Sequence, residues 1–194
     1  MKKNLAIVMA LFASSILFSF KAVEPNSWDL DKAHCNLRFS ITHNMVDDIE
    51  GGFSKFDSKI TASKEDFSDA VLTMTAEASS IFSFNEKRDG HLKTADFFDV
   101  EKYPTITFKS TSFTKTAENN FKIVGDLTLH GVTKSITLNA VIKKGTNPMS
   151  QKAIMGVKIT GTINRKDFGI GEKMPEMAIS NEVGVVANAE YNKN

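Results

Sequence analysis

Cysteine is nearly absent from this chain of 194 residues, which contains only Cys35. A single cysteine excludes an intramolecular disulfide framework and leaves only a bridge between two chains. Cys35 stands beside strand-like residues, and a small buried thiol packs as an apolar group. We therefore expect a buried free thiol rather than a reactive one.

An excess of charge of either sign is absent too. The formal net charge is +1, and the first 22 residues contribute Lys2, Lys3 and Lys21 but no acidic residue. Without them the charge falls by three, to −2. A nearly neutral domain has no electrostatic footprint for nucleic acid, and it lacks a polybasic patch for a membrane surface. We therefore expect no nucleic-acid partner.

Motifs for catalysis and metal binding are missing as well. The chain has no G-x-S-x-G sequence, and Cys35 has only His34 beside it. The four histidines do not have the i, i+2 or i, i+4 spacing of metal ligands; they are His34, His43, His91 and His130. An unbroken strand would place His34 and His43 on opposite faces, so a zinc site built from both would need a bulge. The sequence predicts no catalytic residue, no metal and no cofactor.

Only one long apolar run occurs, Leu5–Phe20, and it follows a short basic start. This is the pattern of a secretory signal peptide, although cleavage after Ala22 and cleavage after Ser15 both remain open. The alternative is an uncleaved anchor, but the run is shorter than the roughly 20 residues of a membrane helix. We predict a signal peptide at residues 1–22 and a soluble domain at residues 23–194 without a membrane span. The protein would then be periplasmic or secreted.

The rest of the chain has the alternation of β-strands. Apolar and polar residues alternate in Leu37–His43, Phe121–Leu129 and Ile136–Ile142, and Thr and Ser fill many outward positions. Gly51-Gly52 looks like a hairpin turn, and His130-Gly131 looks like a tight turn. About eight to ten strands at regular spacing, without a long helix, favour an antiparallel sandwich or an up-and-down barrel.

One stretch, Arg88 to Ser110, interrupts this β-structure. It begins with the charged residues Arg88 and Asp89, continues through the pair Phe97-Phe98, and ends in a strand-like run. The preceding segment from Ser83 to Lys93 lacks a period of two and has room for a short helix. We expect any special site of the protein to lie near this interruption.

Phenylalanine is abundant in this chain, whereas the other aromatic residues are scarce. Three of the 15 phenylalanines, Phe12, Phe18 and Phe20, lie in the apolar run, which leaves 12 beside one tryptophan and two tyrosines. These residues could form an ordinary aromatic core or line a cavity for an apolar ligand. An eight-stranded barrel is just wide enough for side chains or for one ligand, so the residues alone leave both alternatives open.

Five segments in order make the chain resemble the YceI-like family, also called polyisoprenoid-binding or lipid-binding YceI domain proteins. The segments are WDLDKAHCNLRFSITH, GGFSKFDSKI, RDGHLKTADFFDVEKYPTITFKST, GDLTLHGVTKSITL and GTINRKDFGIG. The resemblance covers Trp28 to Glu190. Cys35 departs from the family pattern, which usually has serine after His34, so any role of that hydroxyl is in doubt here.

The resemblance implies an all-β fold, an antiparallel lipocalin-like barrel of about eight strands with a short helical insertion near residues 85–95. It also implies an exported, non-enzymatic protein that holds an isoprenoid-chain lipid, such as a prenyl diphosphate or a quinone, in an apolar cavity. One alternative is a filled barrel that acts in stress response or protein interaction. A less favoured alternative is a lipid-modifying enzyme with His91 or His43 as its base. The sequence leaves a homodimer open.

Two groups of residues are our candidates for ligand contact on this resemblance. The predicted cavity lining is Phe39, Ile41, Phe53, Phe56, Phe84, Phe108 and Phe168. The predicted head-group contacts at the mouth are Arg88, His91 and Arg165. The alternative for Arg88 is an ion pair with Asp89 that holds the helical turn, and the alternative for Arg165 is that it only shapes its loop.

Overall fold

A computed structural model describes residues 25–194, so the predicted signal peptide lies outside the described residues. The strands are β1 (Asn26–His43), β2 (Asp47–Phe53), β3 (Phe56–Ala62), β4 (Val71–Glu77), β5 (Ile81–Phe82), β6 (Thr105–Ala117), β7 (Asn120–Leu129), β8 (Val132–Thr146), β9 (Ala153–Asn164) and β10 (Ile179–Lys193). One α-helix, α1 (Glu86–Leu92), and two short 3₁₀ helices, Ala78–Ser80 and Arg165–Phe168, complete the secondary structure of this part of the chain.

These strands form one closed antiparallel barrel. β2 and β3 follow one another along the same edge of β1, so together they act as one broken strand. In the same way β4 and β5 lie along β3 and β2. The order then continues through β6, β7, β8 and β9 to β10, which pairs with β1. The prediction of an antiparallel barrel of about eight strands is confirmed.

Alternation along the strands decides which residues face the interior. In β7, Phe121, Ile123, Gly125, Leu127 and Leu129 are buried, and the residues that alternate with them are more exposed. The turn after β7 is His130-Gly131, as predicted, with both residues at positive φ. Such a turn matches the twist of the strands that it joins. The period of two therefore selects one apolar interior for the whole barrel.

The end of the barrel at which β1 begins is filled with side chains, and we call it the closed end. Phe121 packs against Phe67 from the β3–β4 connection and against Phe113 from β6, with ring centroids 6.2 and 5.9 Å apart. Ile123 and Met155 are fully buried beside them. Close packing of these side chains fills the interior at this end, and it anchors the strands on which the opposite end is built.

The opposite end, which we call the mouth, carries the predicted helical insertion between β5 and β6. The side-chain oxygen of Asn85 accepts a hydrogen bond from the backbone N–H of Arg88 at 3.0 Å and caps the start of α1. The backbone N–H of Phe98 then returns to the carbonyl of Leu92. No helix among residues 25–194 combines the length and hydropathy of a transmembrane span.

The prediction that Gly51-Gly52 forms a hairpin turn is wrong. Both glycines lie inside β2, and the turn is formed by residues 44–46. Gly51 lies directly opposite Phe39, and a Cβ on Gly51 would collide with that ring. Glycine is needed here because the aromatic ring occupies the space of the missing side chain.

We expect Gly51→Ala to lower the free energy of unfolding by about 1–3 kcal/mol, because Phe39 has to leave its position to make room. Gly156→Ala in β9 is the matched control, since the nearest atom to its Cβ would be a backbone oxygen 4.0 Å away. Urea denaturation of both variants measures the difference. Equal stability of the two variants would contradict this account.

Candidate functional site

An apolar cavity of about 430 Å³ occupies the mouth half of the barrel. Its walls come from nearly every strand of the ring and from the segment that contains α1. The volume lies within the range of pockets that enclose one drug-sized molecule. Most of the lining side chains are aliphatic or aromatic, so the cavity can bind a molecule chiefly by removing apolar surface from water.

Five of the seven predicted lining residues face this cavity. They are Phe39, Ile41, Phe53, Phe56 and Phe108. Phe39 and Phe53 lie on neighbouring strands with ring centroids 6.2 Å apart, and Phe53 contacts Phe98 from the insertion at 5.8 Å. An aromatic cluster therefore joins the barrel wall to the segment that follows α1. Contact of these residues with a ligand stays a prediction.

The prediction that Phe84 lines the cavity is wrong. Phe84 is 72% exposed and packs on the outer surface against Phe82, with ring centroids 5.3 Å apart. The guanidinium of Arg38 lies 5.4 Å from its ring. The backbone of Phe84 has φ of 60°, immediately before the cap of α1, and this change of direction turns the ring outward.

Phe168 is likewise absent from the lining, although it is buried. It belongs to the 3₁₀ helix that follows β9, and its carbonyl oxygen lies 2.9 Å from Nδ1 of His130. The residue holds the β9–β10 connection against the β7–β8 turn. Its pattern in the sequence does not distinguish this packing role from a place in the cavity wall.

Arg165, a predicted head-group contact, belongs to the cavity lining, but the protein engages its whole guanidinium, which corrects the predicted role. The side chain is 2% exposed, and it donates five hydrogen bonds to five backbone carbonyls. These carbonyls belong to Ile170, Gly171, Met174, Ile179 and Ser180. A guanidinium has five N–H donors, so none is left for a ligand. Arg165 shapes its loop, which is the alternative that the sequence offered.

Burial lowers the pKa of the Arg165 guanidinium, while the charge of Glu176 acts in the opposite direction. An arginine stays protonated at any physiological pH. The charge is therefore balanced chiefly by the dipoles of the five carbonyls, which explains why the β9–β10 connection wraps around this one side chain.

Arg88 lines the cavity, and the protein engages only part of its guanidinium in hydrogen bonds. Its Nε donates to the hydroxyl of Ser83 at 2.7 Å, and Nη2 donates to the carbonyl of Ser83 at 2.6 Å. The Ser83 hydroxyl in turn donates to Asp89. Instead of the direct Arg88–Asp89 ion pair considered above, the buried Ser83 bridges the two residues. Within residues 25–194, Nη1 of Arg88 has no hydrogen-bond acceptor.

His91 also lines the cavity, at its rim. Its side chain is 56% exposed, its ring lies 5.0 Å from that of Phe97, and Nε2 is 3.8 Å from a carboxylate oxygen of Asp96. Asp96 also contacts Lys173 at 3.2 Å. His91 is therefore placed where a group at the mouth would pass, and its binding role stays a prediction.

A polar pair that sequence reasoning missed lies deep in the cavity. The hydroxyls of Ser58 and Tyr191 are 2.6 Å apart, and both residues belong to the lining. Desolvation raises the pKa of Tyr191 to about 12, while the hydrogen bond from Ser58 acts in the opposite direction. The alternation of β3 could have identified Ser58 as an inward-facing residue, because it stands between Phe56 and Ile60 on the inward face. Serine is common on the outward faces of the strands, so its presence alone did not mark this position.

The β1 bulge gathers three residues that could hold a metal ion. Residues 31–34 of β1 are opposed by Glu190 alone, and this brings ligand atoms of Asp31, His34 and Glu190 within 4.8 Å of one another. Asp31 accepts from His34 at 3.1 Å, which raises the pKa of His34 and lowers that of Asp31. None of the three lines the cavity. A hydrogen bond joins Asp31 to His34, Glu190 acts on His34 only through its charge, and we assign the cluster no metal.

Cys35 follows this bulge as a free thiol that is half-buried rather than buried. Desolvation raises the pKa of the thiol, and the nearby charge of Asp31 acts in the same direction. A raised pKa leaves less of the reactive thiolate at neutral pH. The expectation of an unreactive thiol therefore agrees with its surroundings.

Comparison with known proteins shows which family this chain is similar to. Residues 28–191 match the family described as YceI-like domain. A UPF0312 protein of Staphylococcus aureus (strain N315) is 43% identical over 148 residues, which are 74% of this chain and 82% of that protein.

Solved structures show the same fold. BcnA of Burkholderia cenocepacia superposes with a TM-score of 0.76 at 20% identity, over 84% of this chain and 99% of that one. The YCEI protein of Campylobacter jejuni gives 0.69 at 26% identity, over 77% and 87%. A polyisoprenoid binding domain of Saccharophagus degradans gives 0.64 at 17% identity, over 86% and 98%.

We expect Arg165→Lys to lower the free energy of unfolding by about 2–4 kcal/mol, because lysine cannot satisfy five buried carbonyls. The exposed neighbour provides the control, and Lys166→Gln should change stability by less than about 0.5 kcal/mol. Chemical denaturation measures both. A stable Arg165→Lys protein with impaired ligand binding would restore the head-group role instead.

Tyr191 should make stability fall at alkaline pH. Its pKa is raised to about 12 from an ordinary 10.0, so its contribution is fully present below pH 10 and is lost as the pH rises towards 12. The loss should reach about 2–3 kcal/mol. The measurement is the difference between the unfolding free energies of the natural protein and Tyr191→Phe across this range. A difference that does not vary with pH would contradict the burial of the phenol.

Proposed function

Because the chain belongs to the YceI-like domain family, we propose that it is an exported binding protein for an isoprenoid-chain lipid. The lipid would be of the prenyl diphosphate or quinone type and would lie in the barrel cavity. The single observation that carries the proposal is a cavity of about 430 Å³ with an almost wholly apolar wall. The relative from Saccharophagus degradans, which is described as a polyisoprenoid binding domain, supports the same class of ligand.

The driving force would be the burial of hydrocarbon. Each buried CH₂-sized group stabilises a complex by roughly 0.8 kcal/mol, so a few isoprene units outweigh the cost of immobilising the lipid. The packed closed end holds the cavity walls in place before a ligand arrives. Such preformed apolar sites lose little free energy to rearrangement on binding.

Arg88 supplies the group that would orient a charged lipid at the mouth. Ser83 fixes the guanidinium from one side, and Nη1 is left for an oxygen of the ligand. A hydrogen bond from a cation to a diphosphate oxygen is shorter and stronger than a neutral one. His91 at the rim is placed to contribute a second, weaker contact.

Export forms the second part of the proposal. It rests on the basic start and on the apolar run Leu5–Phe20, the pattern of a signal peptide that ends near residue 22. A protein in the periplasm or outside the cell could shield a lipid from water between membranes. We propose binding without catalysis, and the fully filled barrel considered as an alternative does not agree with the open mouth half.

Native mass spectrometry of protein purified from its own host tests the lipid ligand directly. We expect a bound species of fixed mass that organic extraction removes. An apo mass, together with no thermal shift on adding farnesyl diphosphate or a short-chain quinone, would overturn the proposal.

Binding of farnesyl diphosphate to Arg88→Ala tests the orienting role. We expect about tenfold weaker binding, because a hydrogen bond to a charged group contributes about 1.5–3 kcal/mol. Farnesol, which has the same chain and no diphosphate, should bind the variant and the natural protein alike. Lys87→Ala, an exposed neighbour on α1, is the matched control. An equal loss of affinity for both lipids would show that Arg88 stabilises the fold and does not bind the head group.

A further inference from the structure

The pair formed by Ser58 and Tyr191 has one hydrogen-bond donor more than the protein uses. Two hydroxyl groups carry two protons, and the bond between them, at 2.6 Å, engages one. Within residues 25–194, neither hydroxyl makes a second hydrogen bond. Among these residues, one O–H is therefore left without an acceptor. A desolvated donor without an acceptor is unfavourable, so this position favours a ligand that supplies one.

The pair lies at the bottom of the cavity, at the boundary with the closed end. Along β10 the lining extends from Ile179 near the mouth to Tyr191, which is its last member in that strand. On β3, Ser58 belongs to the lining, whereas the next inward residue, Ile60, is fully buried in the core. Arg88 lies at the opposite end, on α1 at the mouth. The cavity thus has one polar group at each end of an apolar wall.

The surroundings of this pair suit a neutral acceptor better than an anion or a water molecule. In the sheet, Met74 lies directly opposite Ser58, and Met155 lies opposite Tyr191. A buried water typically makes about three hydrogen bonds, and these apolar neighbours add no partner to the two hydroxyls. The charges whose fields reach Tyr191 are those of two acidic groups, Cys35 and Asp57, and Asp57 is paired with Lys32 at 2.9 Å. An anionic group at this position would therefore lose its hydration without gaining a cationic partner.

We propose that the ligand lies with a neutral, oxygen-bearing end at the bottom of the cavity, where a carbonyl or ether oxygen accepts the free O–H of the Ser58–Tyr191 pair. This deepens the proposed function and rests on it, because it selects between the two lipid types named above. A quinone-like lipid enters head first, with its chain toward the mouth. A prenyl diphosphate cannot place its charged end there, so its diphosphate stays beside Arg88 and leaves the pair unsatisfied.

The test compares two ligands with the same two-isoprene chain in two proteins. The ligands are a ubiquinone with a two-isoprene chain and geranylbenzene, which carries the same chain on a ring without oxygen. For the double variant Ser58→Ala/Tyr191→Phe we expect about threefold to tenfold weaker binding of the quinone. Geranylbenzene should bind the variant as tightly as the natural protein, or more tightly. Thermal unfolding of the variant without ligand confirms that it is folded.

The carbonyl stretching frequency of the bound quinone gives a second readout that packing alone would not change. It should lie lower in the natural protein than in the double variant, because a hydrogen bond weakens the C=O bond. Lys87→Ala, an exposed position on α1, is the control and should leave quinone binding unchanged. Arg88→Ala should affect the quinone and geranylbenzene to the same extent, since Arg88 lies at the other end of the cavity from the proposed oxygen contact.

Three results would overturn the inference, and they are distinguishable. If the double variant binds both ligands equally more weakly, or binds both as well as the natural protein does, the pair does not donate a hydrogen bond to a ligand oxygen. The proposed lipid function then still stands. If Arg88→Ala selectively weakens the quinone, the head group lies at the mouth. If the natural protein binds neither ligand nor farnesyl diphosphate, the proposed function itself fails and the inference fails with it.

Discussion

The pairing of β1 with β10 closes the sheet, and the interior of the protein depends on it. β1 is 18 residues long and holds β10 along one edge, while β2 and β3 share the other edge. Closure pairs the first and last long strands of the sheet with each other, and it turns the alternating apolar residues of the strands into one shared space. A cavity can persist in that space because the hydrogen-bonded wall resists collapse inward.

The interior of the barrel has two halves, one filled with side chains and one that contains the cavity. The abundance of phenylalanine was compatible with a filled core or with a ligand cavity, and the barrel contains both. At the closed end, Phe67, Phe113 and Phe121 pack on one another and fill the section. Towards the mouth, Phe39 and Phe53 share the wall with smaller residues such as Val185 and Ala187, and the cavity lies between them. The filled core and the cavity therefore follow one another along the same strands.

The sequence predicts most of the fold and less of the candidate site, for physical reasons that particular residues show. Alternation in β7 and β8 is strong because one face is buried, so their positions are predictable. Gly51 was misread because a glycine under an aromatic ring looks the same in sequence as a glycine in a turn. Arg165 was misread because its partners are backbone carbonyls, which leave no trace in side-chain patterns. Ser58 shows the reverse case, since its place between two inward apolar residues was visible but not exceptional.

The two sides of the mouth are held by different kinds of contact. Arg165 binds the β9–β10 connection through five hydrogen bonds at the centre of its loop. The α1 side is held by the cap at Asn85, by the contacts of Ser83 and by the packing of Phe53 on Phe98. Local opening follows the segments with the smallest opening free energy. A molecule wider than the mouth can pass only when one of these two sides opens, so the rate of that opening would limit how fast the molecule enters or leaves.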